Sequence, residues 1–340
     1  MNTSAVEVLI TVPFSESILD DLNTISPRLH IVSQAAKRPE DISAETWQKT
    51  EILYTDQVLP NPAQVPNLRW VQFHYAGIDY ALEAPLLQKP ELTATTLSGA
   101  AAPQMAEFAL TMLLALGHHL PYFAASQGKG EWPREKNERL RPVELRGSTV
   151  GMVGYGSICR ELARLLQPLR VTILASKRDV MHPQDTGYMA DGLGDPEGNL
   201  FHRLYPIQAL RSMLKECDFV VVALPLNDKT RGLITANELA AMKPGAFLVD
   251  VGRGGIVEPG ALLSALQDRK IAGAALDVFA EEPLPQNSPF WKLPNTIITP
   301  HIAGLSQFYN QRAADLFAEN LKRYLSGDAL LNRFDLEQGY

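Results

Sequence analysis

Cysteine is scarce in this 340-residue chain: Cys159 and Cys217 are the two present. Such a pair builds no disulfide framework, which excludes a small stapled secreted fold and points to a reducing compartment. Basic residues are outnumbered, 31 Lys and Arg against 38 Asp and Glu, for a net charge of −7. That balance argues against nucleic acid or an anionic membrane surface as the main partner. Long apolar runs are also lacking. The longest helix-like stretch, Phe108 to Leu116, falls far short of the ~20 residues a membrane span needs. The opening MNTSAVEVLITV has no basic lead and only a strand-length apolar run, so no secretory leader is read there and a cytoplasmic protein is expected. No His, Cys and Asp cluster has metal-ligand spacing, so no metal site is expected, and no G-x-S-x-G elbow supplies a nucleophile.

What is present is a strand–helix rhythm, and 340 residues with 46% apolar content suit two cored domains. VEVLITV, ESILDDL, LHIV, EILYT, LRWVQFH and TATTL alternate as expected for a small α/β unit with parallel strands. AAPQMAEFALTMLLALGHHL (101–120) reads as one long, mostly buried helix. Polar sequence from Ser126 to Arg146, with Trp132 and Pro133 inside it, reads as an arm. A second α/β unit starts at STVGMVGYG. Its strands, TVGMVG, VTILAS, FVVVALP, AFLVDVG, AALDVF and TIITP, are nearly continuous apolar runs, as in parallel sheets covered on both faces. Asp179 to Pro206 breaks the rhythm with glycines, prolines and the acids Asp185, Asp191, Asp195 and Glu197, and is expected to be a long surface loop. NQRAADLFAENLKRYLSG closes the pattern as a helix stopped by Gly327.

GMVGYGSICRELARLL places a glycine turn between a strand and a helix. Gly154 permits the tight turn and Gly156 the close approach of a pyrophosphate. The amides of Ser157 and Ile158 then face the phosphates at the helix N-terminus. Cys159 stands where a third glycine or alanine is usual, which implies slightly wider helix–strand spacing. The next strand ends in Ser176, Lys177 and Arg178, where an NAD enzyme usually carries an acid. Two cations and a hydroxyl suit a 2′-phosphate, so NADP(H) is favoured over NAD(H). The acidic loop that follows would oppose phosphate binding if it folded back over the adenosine.

Three further residues carry chemistry: Arg253 in VDVGRGGIV, Glu282 in ALDVFAEEP and His301 in ITPHIAG. Each follows an apolar run that reads as a strand, and loops at the carboxyl ends of parallel strands converge on one crevice. A guanidinium there can grip a carboxylate and the neighbouring carbonyl oxygen. An imidazole can exchange a proton near neutral pH, and a carboxylate can hold its other nitrogen. His74 adjoins a possible ligand turn, whereas His30, His118 and His119 have no such context.

From about Leu68 to Gln307 the chain resembles the D-isomer-specific 2-hydroxyacid dehydrogenases. The stretches that carry the resemblance are GYGSICRELARLL, ALPLNDKTRGLI, MKPGAFLVDVGRGGIVE, IAGAALDVFAEEPLP and NTIITPHIAG. It implies an α/β protein of two Rossmann-like domains with parallel sheets and an active site in the cleft between them. Residues 1–104 and 302–340 would form the substrate domain and 105–301 the NAD(P)-binding domain. By motif, Arg253 matches the substrate-orienting arginine, Glu282 the carboxylate partner and His301 the catalytic histidine. Asp277 matches a residue contacting the nicotinamide carboxamide, and Pro225 a cofactor contact. Tyr75, Ala76 and Gly77 in HYAGID match the turn that binds the substrate carboxylate, with Tyr75 bulkier than the usual small residue. The resemblance implies reduction of a small 2-oxo acid, glyoxylate or hydroxypyruvate foremost, and a homodimer built around 101–120 and 126–146. Alternatives are a phosphoglycerate dehydrogenase-like enzyme and a nicotinamide-sensing corepressor with little turnover.

Overall fold

The computed structural model describes residues 4–134 and 140–335, and it divides the chain into two compact units. One joins Met1–Ala101 to Ser306–Tyr340; the other is Ala102–Leu305.

In the first unit the strands β1 (Val6–Ile10), β2 (Leu29–Ser33), β3 (Ile52–Thr55), β4 (Trp70–Phe73) and β5 (Thr93–Thr95) form a parallel sheet in the order β2-β1-β3-β4-β5. The helices α1 (Glu16–Asn23) and α2 (Ala44–Lys49) connect the first strands. β3 and β4 are buried at every position, which is why EILYT and LRWVQFH lack a polar alternation. The chain leaves this unit and returns to it with a long C-terminal helix whose Phe317 packs at a tilt against Tyr54 and Trp70, ring centroids 4.7 and 5.4 Å away. The fully buried Asn320 anchors that return: its amide group meets Gln72 Oε1 and Leu331 O, and its carbonyl accepts from Leu331 N. Burying an amide side chain is tolerable because each polar atom finds a partner.

The second unit opens with α3 (Ala102–Gly117) and α4 (Leu120–Lys129). The expected single helix over 101–120 is thus corrected to two helices bent by 66°. His119 adopts a left-handed conformation, φ 56°, and the break lies between Gly117 and Pro121, the residues least compatible with a continuous helix. α4 also claims the first residues of the expected arm. Trp132 lies in the coil beyond it, and 135–139 are outside the described residues. Among the described residues no single helix is long and apolar enough to cross a membrane.

The sheet of this unit has seven parallel strands: β6 (Thr149–Val153), β7 (Thr172–Lys177), β8 (Arg203–Pro206), β9 (Phe219–Val222), β10 (Phe247–Asp250), β11 (Gly273–Leu276) and β12 (Thr296–Ile298). Their order, β12-β11-β10-β9-β6-β7-β8, reverses direction between β6 and β9. That reversal is the switch point at which open α/β sheets hold ligands. The helices α5 (Ser157–Leu166), α6 (Leu210–Leu214), α7 (Ala236–Ala241) and α8 (Pro259–Gln267) cover the faces. α9 (Tyr309–Ser326) is the returning helix of the first unit, closed by Gly327 at φ 78°.

Candidate active site

The fingerprint turn is fixed from two sides. The amides of Gly154 and Tyr155 both donate to Ser176 O, at 3.2 and 3.1 Å, tying the turn to the end of β7. Gly154 has φ 96°, and a Cβ there would sit 2.6 Å from Leu224 Cδ2 and 2.7 Å from Ala223 O, so no other residue fits. Gly156 precedes α5 with open space beside it. The first-turn amides of α5 have no intrahelical acceptor, which is the cradle a pyrophosphate needs. Cys159 is fully buried, its thiol pushed up to about 12 by burial, and acts as packing.

Beyond β10 the chain turns through Gly252–Gly255. A Cβ on Gly254 would overlap the carbonyl of Phe279, so the Arg253 turn packs directly on the loop that carries Glu282. Arg253 Nη1 donates to Gly252 O at 2.9 Å. Glu282 is oriented by the Phe279 amide, which donates to its Oε1 at 2.8 Å. Its Oε2 lies 2.7 Å from His301 Nδ1. His301 itself adopts φ 53°, a left-handed conformation that costs ~1–2 kcal/mol for a residue with a Cβ. Asp277 holds this conformation in place. Its main-chain carbonyl accepts from His301 N, and its carboxylate accepts from Thr299 Oγ1, Ile302 N and Ala303 N. The Asp277 carboxylate is buried and braces the histidine loop.

This arrangement, an imidazole backed by a carboxylate with a guanidinium on the adjoining loop, accompanies clear kinship. Residues 110–303 match the D-isomer specific 2-hydroxyacid dehydrogenase, NAD binding domain. The chain belongs to the D-isomer-specific 2-hydroxyacid dehydrogenases. It is 33% identical to the (S)-sulfolactate dehydrogenase of Chromohalobacter salexigens over 77% of this chain and 79% of that protein. Against the glyoxylate reductase of Thermofilum pendens the identity is 32%, over 79% of this chain and 76% of that one. A D-isomer specific 2-hydroxyacid dehydrogenase from Xanthobacter autotrophicus, solved with NADPH and MES, superposes with a TM-score of 0.78 at 27% identity, covering 99% of this chain and 100% of that one. The chain is accordingly an NAD(P)-dependent oxidoreductase of the dehydrogenase family, with two parallel α/β units as the sequence led one to expect.

The remaining residues expected in this dehydrogenase's site divide by exposure. Ser176 is fully buried with its hydroxyl directed at Met152 O, 3.4 Å away, so its side chain does not reach the cofactor edge. This corrects the expectation: β7 is buried from Ile173 to Ser176, and the Ser176 carbonyl, not its hydroxyl, serves the fingerprint. Lys177 donates to His182 O and Gln184 O at 2.6 and 3.2 Å, pinning the start of the following excursion. Arg178 is exposed. Pro225 lies after β9, its carbonyl accepting from Thr230 Oγ1 at 2.6 Å. In the first unit Tyr75 and Ala76 are exposed at the end of β4, and the amides of Ala76 and Gly77 meet no acceptor among the described residues.

Two further features lie beside these residues. The excursion from Asp179 is a built structure, ending in the edge strand β8 where only loop was expected. The buried Arg160 of α5 reaches the carbonyls of Asp195 and Pro183 and lies 3.4 Å from Asp185. Tyr155, inside the fingerprint, donates to Asp195 Oδ2 at 2.6 Å, and Glu161 Oε2 accepts from Gly194 N at 2.7 Å. The acids Asp185 and Asp195 thus face the fingerprint helix as structural partners. The second is His74, buried and bonded through Nδ1 to Tyr54 Oη at 2.7 Å. Burial lowers its pKa to about 4, so it is a neutral core histidine at physiological pH. Its position beside the HYAGID turn was the available signal.

Proposed function

We propose that this chain reduces a small 2-oxo acid, glyoxylate or hydroxypyruvate, by hydride transfer, with NADPH preferred as donor. The observation that carries the reading is the 2.7 Å contact between His301 Nδ1 and Glu282 Oε2, which leaves Nε2 as the proton-donating atom. The nicotinamide cofactor supplies the hydride. Gly154, Gly156 and the amides of Ser157 and Ile158 hold its pyrophosphate, with Pro225 lining the same side. Arg253 grips the substrate's carboxylate and carbonyl oxygen in a planar fork. His301 protonates the oxygen as it gains charge, and Glu282 stabilises the imidazolium form from which the proton leaves. Asp277 positions His301. The amides of Ala76 and Gly77, with Tyr75 beside them, take the substrate carboxylate.

The cofactor preference rests on Arg178, exposed just beyond the end of β7. A homodimer is supported by the exposed Leu114, Leu120, Tyr122 and Phe123 on α3 and α4, and by Trp132 just beyond. The buried free thiols of Cys159 and Cys217 suit a reducing cytoplasm. Among relatives, the glyoxylate reductases favour the small substrates, and the phosphoglycerate dehydrogenase of Methanocaldococcus jannaschii, 31% identical over 68% of this chain, keeps a phosphorylated substrate as the alternative. An activity matrix decides: glyoxylate, hydroxypyruvate, pyruvate, phenylpyruvate and phosphohydroxypyruvate, each with NADH and NADPH. The highest kcat/KM is expected for glyoxylate or hydroxypyruvate with NADPH. Binding of nicotinamide nucleotide without reduction of any of the five would overturn the reading.

A further inference from the structure

The first unit carries a carboxylate that nothing in the reaction scheme uses. Thr55, the last residue of β3, pairs with Phe73 of β4, and His74 N donates to Thr55 O at 2.8 Å. Asp56 therefore leaves its strand beside the turn Tyr75–Gly77. Its Oδ1 is buried with no hydrogen-bond partner, and among the described residues it forms no ion pair. Tyr80 reaches back over it, donating to Asp56 O.

Tyrosines cluster on this side of the unit, and Asp56 acts on their hydroxyls. Tyr75 and Tyr309 lie 5.9 Å apart between ring centroids, and both pack on His74, at 5.0 and 5.3 Å. Tyr309 Oη donates to His74 O at 2.7 Å. The charge of Asp56 contributes to raising the hydroxyls of Tyr54, Tyr75, Tyr80 and Tyr309 alike, although burial is the larger cause in each. Burial raises Asp56 itself, opposed by the Tyr80 hydroxyl, and no cation enters the balance. Tyr75 and Tyr80 remain 41% and 48% exposed, so the cluster opens to solvent on the side of the turn.

We propose that Asp56, set among Tyr75, Tyr80 and Tyr309 beside the carboxylate-binding turn, is a charge filter for the substrate's tail: it accepts a hydroxyl or ammonium donor and rejects a second anion. The proposal rests on the reductase reading, since it concerns the far end of the same substrate. An unsatisfied buried acceptor gains most from a donor brought by the ligand. A phosphate or sulfonate at the same place meets an uncompensated like charge, and repulsion of that kind is how a site discriminates against a competitor.

The test compares D-glycerate with D-3-phosphoglycerate by titration calorimetry on the full chain saturated with reduced nicotinamide nucleotide, a combination that cannot react. The wild type is expected to bind D-glycerate at least about tenfold tighter. Asp56→Asn and Asp56→Ser are each expected to narrow the ratio about tenfold, two variants guarding against misfolding of either. An unchanged ratio in the folded variants, or a wild type favouring the phosphate, would overturn the filter. Hydroxypyruvate turnover on the same preparations separates the two readings. A narrowed ratio without turnover keeps the filter and removes the reductase; turnover with an unchanged ratio does the reverse.

Discussion

His301 Nδ1 and Glu282 Oε2 stand 2.7 Å apart, and the second carboxylate oxygen is fixed by the Phe279 amide at 2.8 Å. The carboxylate is thus oriented before it meets the ring. Glu282→Gln keeps the shape and an acceptor oxygen but removes the charge that stabilises the imidazolium. We expect kcat/KM to fall by ~10²-fold or more, within the range for an acid–base partner, with protein stability little changed. Steady-state kinetics check this; a loss below about threefold would mean that the charge of Glu282 does not act through His301.

Arg253 projects from a turn packed so closely on Phe279 that only glycine fits beside it. Such packing fixes the backbone from which the guanidinium extends. Arg253→Lys keeps the charge and loses the planar fork, so kcat/KM is expected to fall by ~10²-fold. Near-full activity of this variant would remove the bidentate role.

The legible part of this fold is the part where burial is two-sided. FVVVALP and AFLVDVG are unbroken apolar runs because β9 and β10 are covered on both faces, and the sequence shows this directly. Glu282 and His301 were legible because their polar side chains stand immediately beyond such runs. β8 was not: Arg203–Pro206 is an edge strand with its first and last residues exposed, and it has no apolar run. The buried hydroxyl of Ser176 follows from the two-sided burial of β7, which runs from Ile173 through Ser176 before Lys177 emerges. The bonds from Asp277 to the histidine loop, and Arg160 altogether, were illegible for a different reason. Their partners, Ile302 and Ala303 for one and Asp185 and Asp195 for the other, lie more than twenty residues away, and no local pattern encodes such bonds.

The cofactor edge now rests on one exposed cation rather than on a hydroxyl and two cations. Lys177 holds the carbonyls of His182 and Gln184, while Arg178 lies at the surface. Arg178→Ala should raise the KM for NADPH by about tenfold, the size of one charge-assisted phosphate contact, and leave that for NADH unchanged. An equal effect on both nucleotides would show that Arg178 does not read the 2′ position.

His74 makes stability depend on pH. Its folded pKa, about 4, lies below the ordinary 6.5 because burial disfavours the charged ring. The unfolded chain then binds a proton that the folded chain refuses between those values. Stability from this group is full above pH 6.5 and is lost as pH falls toward 4, by about 3 kcal/mol at most. Urea unfolding of the wild type and of His74→Phe, at pH 7 and pH 4.5, isolates the term. The difference between the two proteins should shrink or reverse in acid; a difference independent of pH would mean that His74 is not buried neutral.

Arg160 tests whether the excursion is a built element or surface loop. It is 1% exposed, and its partners, the carbonyls of Asp195 and Pro183 and the carboxylate of Asp185, all belong to the segment after β7. Removing one member of a buried charged network leaves the other members desolvated and unpaired, at a cost of ~3–5 kcal/mol. Arg160→Ala should therefore lower the melting temperature by several degrees and open the chain to proteolysis between Asp179 and Leu200. The mechanism also predicts a coupling. Tyr155 sits inside the fingerprint and donates to Asp195, so a loosened excursion should weaken nucleotide binding, and saturating NADPH should restore protection from the protease. Cleavage equally slow in Arg160→Ala and wild type would show that the segment is held by something other than this arginine.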